Sequence, residues 1–522
     1  MKFQKIFPPA LFAAFVVIPI LIIPFDMWDG VVIQYASEKG DCQGLRIWFF
    51  ESNLFFSYPV VCTLIQIGHK LHLPYLTVNA IAVLLIGLVL LRETELFARN
   101  ELKLSAGYAT FALALVATSP TLSTLLSSTI TQYFFYLGTG LLAVRLIHES
   151  KKGKILAGVT ILPVAFHYGS LFTLLPVLSY GYDVMRRGVE HENWWCFPSK
   201  KTLTIFSAAV VCYVLPRVFF PPSGLYEPYN DFGDMRQTVY HTIRFATYLL
   251  PLLIGVGLSF LALVTLQKTQ GVRFQNIEGK PVILLLLGLF VAAVIPYILV
   301  DKSANIKSIF GWEARHAIPA AVAVALICAA VFTRLQQAMT TNFQRNVLAA
   351  SAGFLVIANL CLLFYGVIYK LNRQIVLDEL SNTIASIEMP LPPGLVQIVG
   401  EGFPGPAVSD HNATFLMYKA TGRSDLWARM GEEVEVDWNV PEFIFQDEAF
   451  GVQYMYDRKI DDPMAETIMR VRVKHSIGLP HYFANLARYV SGSKELSDIA
   501  VIESIDIKEQ IEERPRQLYP DR

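Results

Sequence analysis

Ten long apolar runs, separated by short polar connections, set the pattern of this chain. The first extends from Phe7 to Phe25. The others cover Tyr75–Leu91, Leu104–Leu122, Ile130–Ile147, Ile155–Tyr182, Thr202–Phe220, Phe245–Leu266, Val282–Val300, Ala317–Phe332 and Val347–Tyr369. A helix needs roughly 20 apolar residues to cross a bilayer, and most of these runs approach that length. The run Ile155–Tyr182 is about 28 residues long, more than one crossing requires. With basic clusters at both ends it predicts two short helices that enter and return, turning at His167-Tyr168-Gly169. Counted this way, the pattern predicts an α-helical polytopic membrane protein of about 11 transmembrane helices. Leu54–Leu71 is interrupted by Gln66, Gly68, His69 and Lys70. It is expected to lie along the membrane face, with a short span as the alternative.

After Tyr369 the pattern changes. No further run is long enough to span, and the chain ends in the charged tail Lys508–Arg522. Pro390-Leu391-Pro392-Pro393-Gly394 reads as a breaker-rich linker. Leu395–Val399 and Glu442–Phe445 read as strands. The expected division is a membrane module at 1–369, including a first outer loop at 26–74, and a small C-terminal α/β domain at 370–522.

Composition agrees with a membrane protein. Of 522 residues, 54% are hydrophobic and only 16% charged, with a mean hydropathy of +0.44. The formal net charge is zero, which gives no footprint for nucleic acid. The six cysteines fall mostly in or beside apolar runs, where the residue usually acts as a small hydrophobe, and no C-x-x-C pair suggests a metal or redox centre. Basic residues concentrate in alternate connections: Lys2 and Lys5; Arg92, Arg99 and Lys103; Lys151, Lys152 and Lys154; Arg186, Arg187, Lys200 and Lys201; Lys268, Arg273 and Lys280; Arg334 and Arg345. The positive-inside rule places these in the cytoplasm. The N-terminus is then inside, and the Asp26/Asp29 loop and the C-terminal domain are outside.

The candidate chemistry lies on that outer side. The loop from Asp26 to Asn53 holds Asp26, Asp29, Glu38, Asp41 and Glu51. A carboxylate at the mouth of a membrane helix is costly and asks for a reason. It either caps the helix in the headgroup zone or serves as a general base within reach of a lipid-borne substrate. At the outer end of a late apolar run, Arg315 precedes His316. Its planar guanidinium suits a bidentate phosphate grip, or else it anchors the helix end by snorkelling. His167, flanked by apolar residues at the expected re-entrant turn, reads as a structural histidine or a site residue. The loop Pro221–Ile243 carries Glu227, Asp231 and Asp234 beside Tyr226, Tyr229 and Tyr240. It reads as a solvated loop or a substrate clamp.

Several stretches resemble the GT-C superfamily of membrane glycosyltransferases, the bacterial group that includes aminoarabinose transferases and protein mannosyltransferases. Asp29-Gly30-Val31-Val32-Ile33-Gln34-Tyr35-Ala36 with Gly40-Asp41 is similar to that group's first outer loop. Ser57-Tyr58-Pro59-Val60 with Leu64–Leu73 is similar to the loop's surface helix. Leu115–Pro120 with Thr131-Gln132-Tyr133 resembles its third and fourth helices, and Gly158–Pro176 its helical hairpin. Glu313-Ala314-Arg315-His316-Ala317-Ile318-Pro319 resembles an Arg-Tyr-x-x-Pro helix start. Gly30 stands where the group often has a second acid, His167 where it often has Lys or Arg, and His316 where it has tyrosine.

The resemblance implies a sugar carried on a polyprenyl phosphate and moved to a lipid, glycan or protein acceptor by one inverting displacement. Asp29 is then the catalytic base, with Asp26 as second candidate. Arg315, His167, His316, Asp41 and Glu51 are the substrate and phosphate contacts. A divalent metal, Mg or Mn, is left open. The expected location is the inner (plasma) membrane. An O-antigen polymerase or ligase is the alternative, disfavoured because such chains place a large basic loop between late helices. A lipid or polysaccharide transporter is a further alternative, disfavoured because no internal repeat is visible.

Overall fold

The described apolar runs fold into helices whose ends sort into two groups, one basic and one carrying the loops with candidate chemistry. The protein is seen in a computed structural model that describes residues 2–23, 26–27, 30–40, 42, 45–46, 49–50, 55–186, 197–221, 235–248, 257, 280–300, 312–339, 341–387, 391–401, 410–423, 426–431, 442–446, 451–455, 467–473, 478–492 and 500–507. In chain order, α1 covers 2–22 and passes through a π-helical turn at Ala13–Val17. Next come α2 (Gly30–Lys39), α3 (Ser57–Leu71), α4 (Tyr75–Leu96) and α5 (Ala106–Ala117). A 3-10 turn (Pro120–Leu126) leads into α6 (Ser128–His148). Then follow α7 (Lys152–Ala165), α8 (Leu171–Arg186), α9 (200–219), α10 (Met235–Tyr248), α11 (Lys280–Leu299), α12 (Ile318–Ala338) and α13 (Asn342–Ala385).

Among the described residues, five stretches are long and apolar enough to cross a membrane: Tyr75–Glu101, Ser128–His148, Lys200–Phe219, Ala314–Gln337 and Asn342–Ala385. Counting α5 with the following turn, a pair bent by 46°, makes six. Ile6–Ile22 and Leu284–Leu299 are shorter apolar helices. The expected run Phe245–Leu266 lies mostly outside the described residues, so the expected count is met in part. The expected hairpin is present as α7 and α8, with His167 and Tyr168 in the turn between them. Helix α3 has only 15 residues, about 23 Å at 1.5 Å per residue, too short to span. Close helix crossing explains one glycine: a Cβ on Gly87 of α4 would meet the Phe12 ring of α1 at 2.2 Å.

The ends expected to be cytoplasmic meet in space and are clamped by ion pairs. Arg145 of α6 grips the Glu93 carboxylate of α4 through both Nε and Nη2. Arg186 of α8 donates to both oxygens of Glu101, at 3.1 and 2.8 Å. Beside them a buried chain runs from His148 Nε2 to Ser179 Oγ, then to Thr202 Oγ1, each step 2.8 Å. Thr202 Oγ1 donates to Asp183 Oδ2 at 2.7 Å. Removing one member of a buried pair leaves a charge without its counter-ion. Arg145→Ala should therefore cost about 2–4 kcal/mol and lower the thermal midpoint in detergent. Arg145→Lys, which keeps the charge, should recover part of it.

Helix α13 begins with a capping box, in which Thr341 Oγ1 accepts the Gln344 N–H and Gln344 Oε1 accepts the Thr341 N–H, both at 3.2 Å. Its 44 residues extend about 66 Å, twice the roughly 30 Å hydrocarbon thickness. The helix therefore runs through the expected boundary at Tyr369 without a break and carries its last turns into the C-terminal region. That region comprises β1 (Gly394–Glu401), α14 (Asp410–Thr421), β2 (Leu426–Gly431), β3 (Glu442–Gln446), β4 (Gly451–Met455), β5 (Thr467–Val473), α15 (Leu479–Ser491) and β6 (Ala500–Ile507), of which α14, α15 and β6 pack on α13. Four strands form a mixed sheet in the order β2-β1-β5-β6. Strand β1 is parallel to β2 and β5, and β6 is antiparallel to β5. A parallel neighbour demands a crossover, which α14 supplies between β1 and β2. Strands β3 and β4 form a separate hairpin. Both strands expected from the sequence are present.

The end of α13 is the spine of this region. Lys419 of α14 bonds Asp378 at 2.6 Å, Asn485 of α15 donates to Asn372 at 2.8 Å, and Thr383 donates to the Ala500 carbonyl at 3.2 Å. Tyr489 donates to Asp378 at 3.3 Å; burial, then the nearby Asp378 charge, push its hydroxyl up and keep it protonated. The first loop shares the same core. Val32, Ile33, Phe49, Val61 and Ile65 are buried with Ile375, Leu380, Val396 and Phe415, and the Tyr35 ring lies 4.5 Å from that of Tyr418. A disulfide joins Cys42 to Cys62 across 5.7 Å between Cα atoms. It ties the loop to α3 and corrects the reading of those two cysteines as mere hydrophobes. The sequence pattern missed it because their 20-residue separation matches no short motif.

Candidate active site at the loop-bearing end

The Ser/Thr-rich stretch 118–129 is the hub of the end opposite the ionic clamp. Thr121, Ser123, Thr124 and Ser127 are fully buried. They satisfy one another and the local backbone: Ser119 pairs with Thr121 and Ser127 with Thr129, each at 2.8 Å, and Thr124 donates to the Thr121 carbonyl at 2.6 Å. Small hydroxyl residues suit this turn because they replace the backbone bonds that a bent helix gives up.

Asp26 approaches the hub from the end of α1. It is fully buried. Its Oδ1 accepts the Met27 N–H at 2.7 Å and the Ser128 N–H at 3.0 Å. Ser128 opens α6, so the carboxylate sits where an anion is favoured by the helix dipole and by the unpaired first N–H groups. Ser127 Oγ donates to the Met27 carbonyl at 2.8 Å, and Gln34 Oε1 accepts the Asp26 N–H at 2.7 Å. A Cβ on Gly30 would lie 2.2 Å from Asp26 Oδ1. Glycine at 30, rather than a second acid, makes room for this carboxylate. The bonds of Asp26 set it at the start of α6, buried, rather than at the end of α1 in the headgroup zone. Asp29, Asp41 and Glu51 lie outside the described residues, as do Glu227, Asp231 and Asp234.

Two cations from α13 complete the hub, and the sequence reading passed over both. Lys370 is 1% exposed and donates to Ser123 Oγ at 3.1 Å. Arg373, one turn later, is 6% exposed. Their signal was present, two cations three apart directly after an apolar run, but that is also how a plain span ends. The 3-10 turn Trp312–Ala317 packs on the same hub. It brings in Arg315 and His316, which are 4% and 5% exposed. That burial excludes the snorkelling alternative, in which the guanidinium reaches water. Tyr168 donates to the Arg315 carbonyl at 3.2 Å, and the His316 ring lies 4.3 Å from Tyr297.

His167 precedes Tyr168 in the α7–α8 turn, so the hairpin delivers both to this end. Its ring meets Phe56 edge-on at 4.2 Å and lies 6.2 Å from Tyr136. Tyr136 pairs with Ser57 at 2.6 Å. The structure thus gathers Asp26, Arg315, His316 and, one layer out, His167. It adds Lys370 and Arg373.

Among the described residues no three His, Cys, Asp or Glu side chains converge on a metal position. Among the described residues, the buried groups gathered here are one carboxylate, Asp26, with Oδ1 engaged by two N–H groups, and three cations. Those described cations suit an anion. What they can do chemically is bind and stabilise negative charge in a water-poor place, where such interactions are strongest.

No family model matches the chain, and no curated protein matches it. Among solved structures, the chain is similar to the crystal structure of ArnT from Cupriavidus metallidurans bound to undecaprenyl phosphate. The two are 12% identical over 93% of this chain and 94% of that chain, with a TM-score of 0.46. At that identity and score the likeness assigns neither family nor activity.

Proposed function

We propose that the chain is a membrane glycosyltransferase that moves a sugar from a polyprenyl-phosphate carrier to an acceptor, by one inverting displacement. The observation that carries the reading is the set of buried cations, Lys370, Arg373 and Arg315, about the 118–129 hub. Burying charge in an apolar bundle is costly and usually marks function. A lipid phosphate is an anion that arrives at this depth. In the proposed reaction an acceptor hydroxyl attacks the anomeric carbon, the bond to the phosphate oxygen breaks, and the lipid phosphate leaves. Arg315 and Lys370 stabilise the negative charge that collects on it. Asp29 takes the hydroxyl proton. Asp26 fixes the start of α6 and the path of the loop on which Asp29 lies. His316 and His167 line the same end as supporting contacts.

The reading is tested by incubating the purified protein with radiolabelled polyprenyl-phosphate sugars. Release of the sugar to water or to an added acceptor supports it. Absence of both from folded, lipid-reconstituted protein, across hexosyl and pentosyl donors, would reject it.

The reading also requires the loop-bearing end to face away from the cytoplasm. The Cys42–Cys62 bridge supports this, since disulfides persist in oxidising compartments. Ser491, exposed at the end of α15, gives the check. In intact cells, an impermeant maleimide should label a Ser491→Cys variant. Labelling only after the cells are opened would overturn the orientation and the mechanism together.

A further inference from the structure

Helix α15 has a second face that the fold covers only in part. Tyr482, Asn485 and Tyr489 point to α13: the Tyr482 ring lies 6.1 Å from Tyr369, and Asn485 and Tyr489 bond Asn372 and Asp378. Leu479, Phe483, Leu486 and Val490 recur at spacings of four, three and four, a single stripe on a helix. Leu486 is partly covered. Leu479, Phe483 and Val490 are 38%, 41% and 67% exposed. His481, Ala484 and Arg488 occupy the remaining side and are exposed.

The level of this stripe along α13 identifies what covers it. The Phe483 ring lies 5.4 Å from Phe364, within the apolar stretch Val347–Tyr369. Phe364 in turn meets Phe15 of α1 at 5.8 Å, and on α13 itself Phe354 and Ile357 are 64% and 59% exposed. The contacts from Tyr482 to Tyr489 then climb α13 from Tyr369 to Asp378, past the end of the apolar stretch. The first turn of α15 therefore stands at membrane depth and its last turn above it. Leu479 and Phe483 extend an apolar surface that already belongs to lipid. Gly478, with φ of 139°, holds a backbone that other residues rarely adopt and starts the helix at this level.

We propose that the Leu479–Phe483 edge of α15 inserts into the near leaflet and holds the C-terminal domain against the membrane. The partner is the bilayer itself, acyl chains meeting the two apolar side chains and headgroups meeting the polar side of the helix. This inference does not depend on the transferase reading.

The test uses the full chain in lipid nanodiscs, with Cys196, Cys212, Cys328 and Cys361 replaced by serine and the Cys42–Cys62 bridge kept. Leu479→Cys, Phe483→Cys and Ala484→Cys variants each receive a nitroxide, and its collisions with oxygen and with a water-soluble nickel chelate are compared. Lipid insertion predicts that oxygen dominates at 479 and 483 and nickel at 484, an inversion across one residue. Nickel dominating at all three sites places the edge in water and overturns the proposal. Shielding from both reagents at 479 and 483 means a protein surface covers the edge, which overturns it equally. Should one variant fail to fold, the other edge site carries the same comparison against 484.

Discussion

Asp29→Asn should lower turnover by roughly 100-fold or more, the usual scale for losing a general base, with little change in stability. Asp26→Asn should do the reverse. The Asp26 Oδ1 accepts two backbone N–H groups at 2.7 and 3.0 Å, and an amide oxygen can occupy the same place. The charge opposite the start of α6 would be lost. A charge at a helix terminus contributes about 0.3–2 kcal/mol, most where it is buried. Asp26→Asn should therefore lower the thermal midpoint while keeping much of the specific activity of the folded fraction. The pair is measured by steady-state rate and by melting in the same detergent. If Asp26→Asn is inactive at an unchanged midpoint and Asp29→Asn is active, Asp26 is the base and the capping account of its burial is wrong.

The contrast marks how far the sequence could be read. Apolar run length located helices, because a bilayer or an apolar bundle selects length and composition directly. It located the α7–α8 hairpin as well, because 28 residues with basic ends leave no simpler path. It could not locate the end of α13. An apolar stretch stops at Tyr369, but a helix stops only where its backbone bonds find another partner, and that is at Ala385. Lys370 and Arg373 were hidden by the same rule, since a cation after a span is ordinarily a snorkelling anchor. Only the return of 118–129 and the C-terminal region over them buries them, and those contacts are far apart in sequence. The burial of Arg315 at the hub was not legible either; the short pattern Arg-His-Ala-Ile-Pro only singled the residue out. The disulfide and the Asp26–Ser128 bond join residues 20 and 102 positions apart, and no local pattern carries either pairing.

Lys370→Met should separate binding from folding more sharply than any other change. Methionine fills a similar volume, and replacing a buried charge by an apolar side chain is often neutral or stabilising. The midpoint should hold or rise. A hydrogen bond to a charged group contributes about 1.5–3 kcal/mol, so affinity for a polyprenyl phosphate should fall by about 10- to 150-fold. Arg315→Lys tests the second cation differently. It keeps the charge and loses the planar fork, so it should weaken donor binding and turnover together if the guanidinium grips phosphate in two places. Both are measured by titrating short-chain polyprenyl phosphate into reconstituted protein and by initial rate, after checking for monodispersity. A Lys370→Met protein that melts early but binds as the parent does would make Lys370 a structural partner of Ser123. An Arg315→Lys protein equal to the parent in both would make Arg315 a packing residue of the 312–317 turn. Either result would move the phosphate to the remaining cations of the hub.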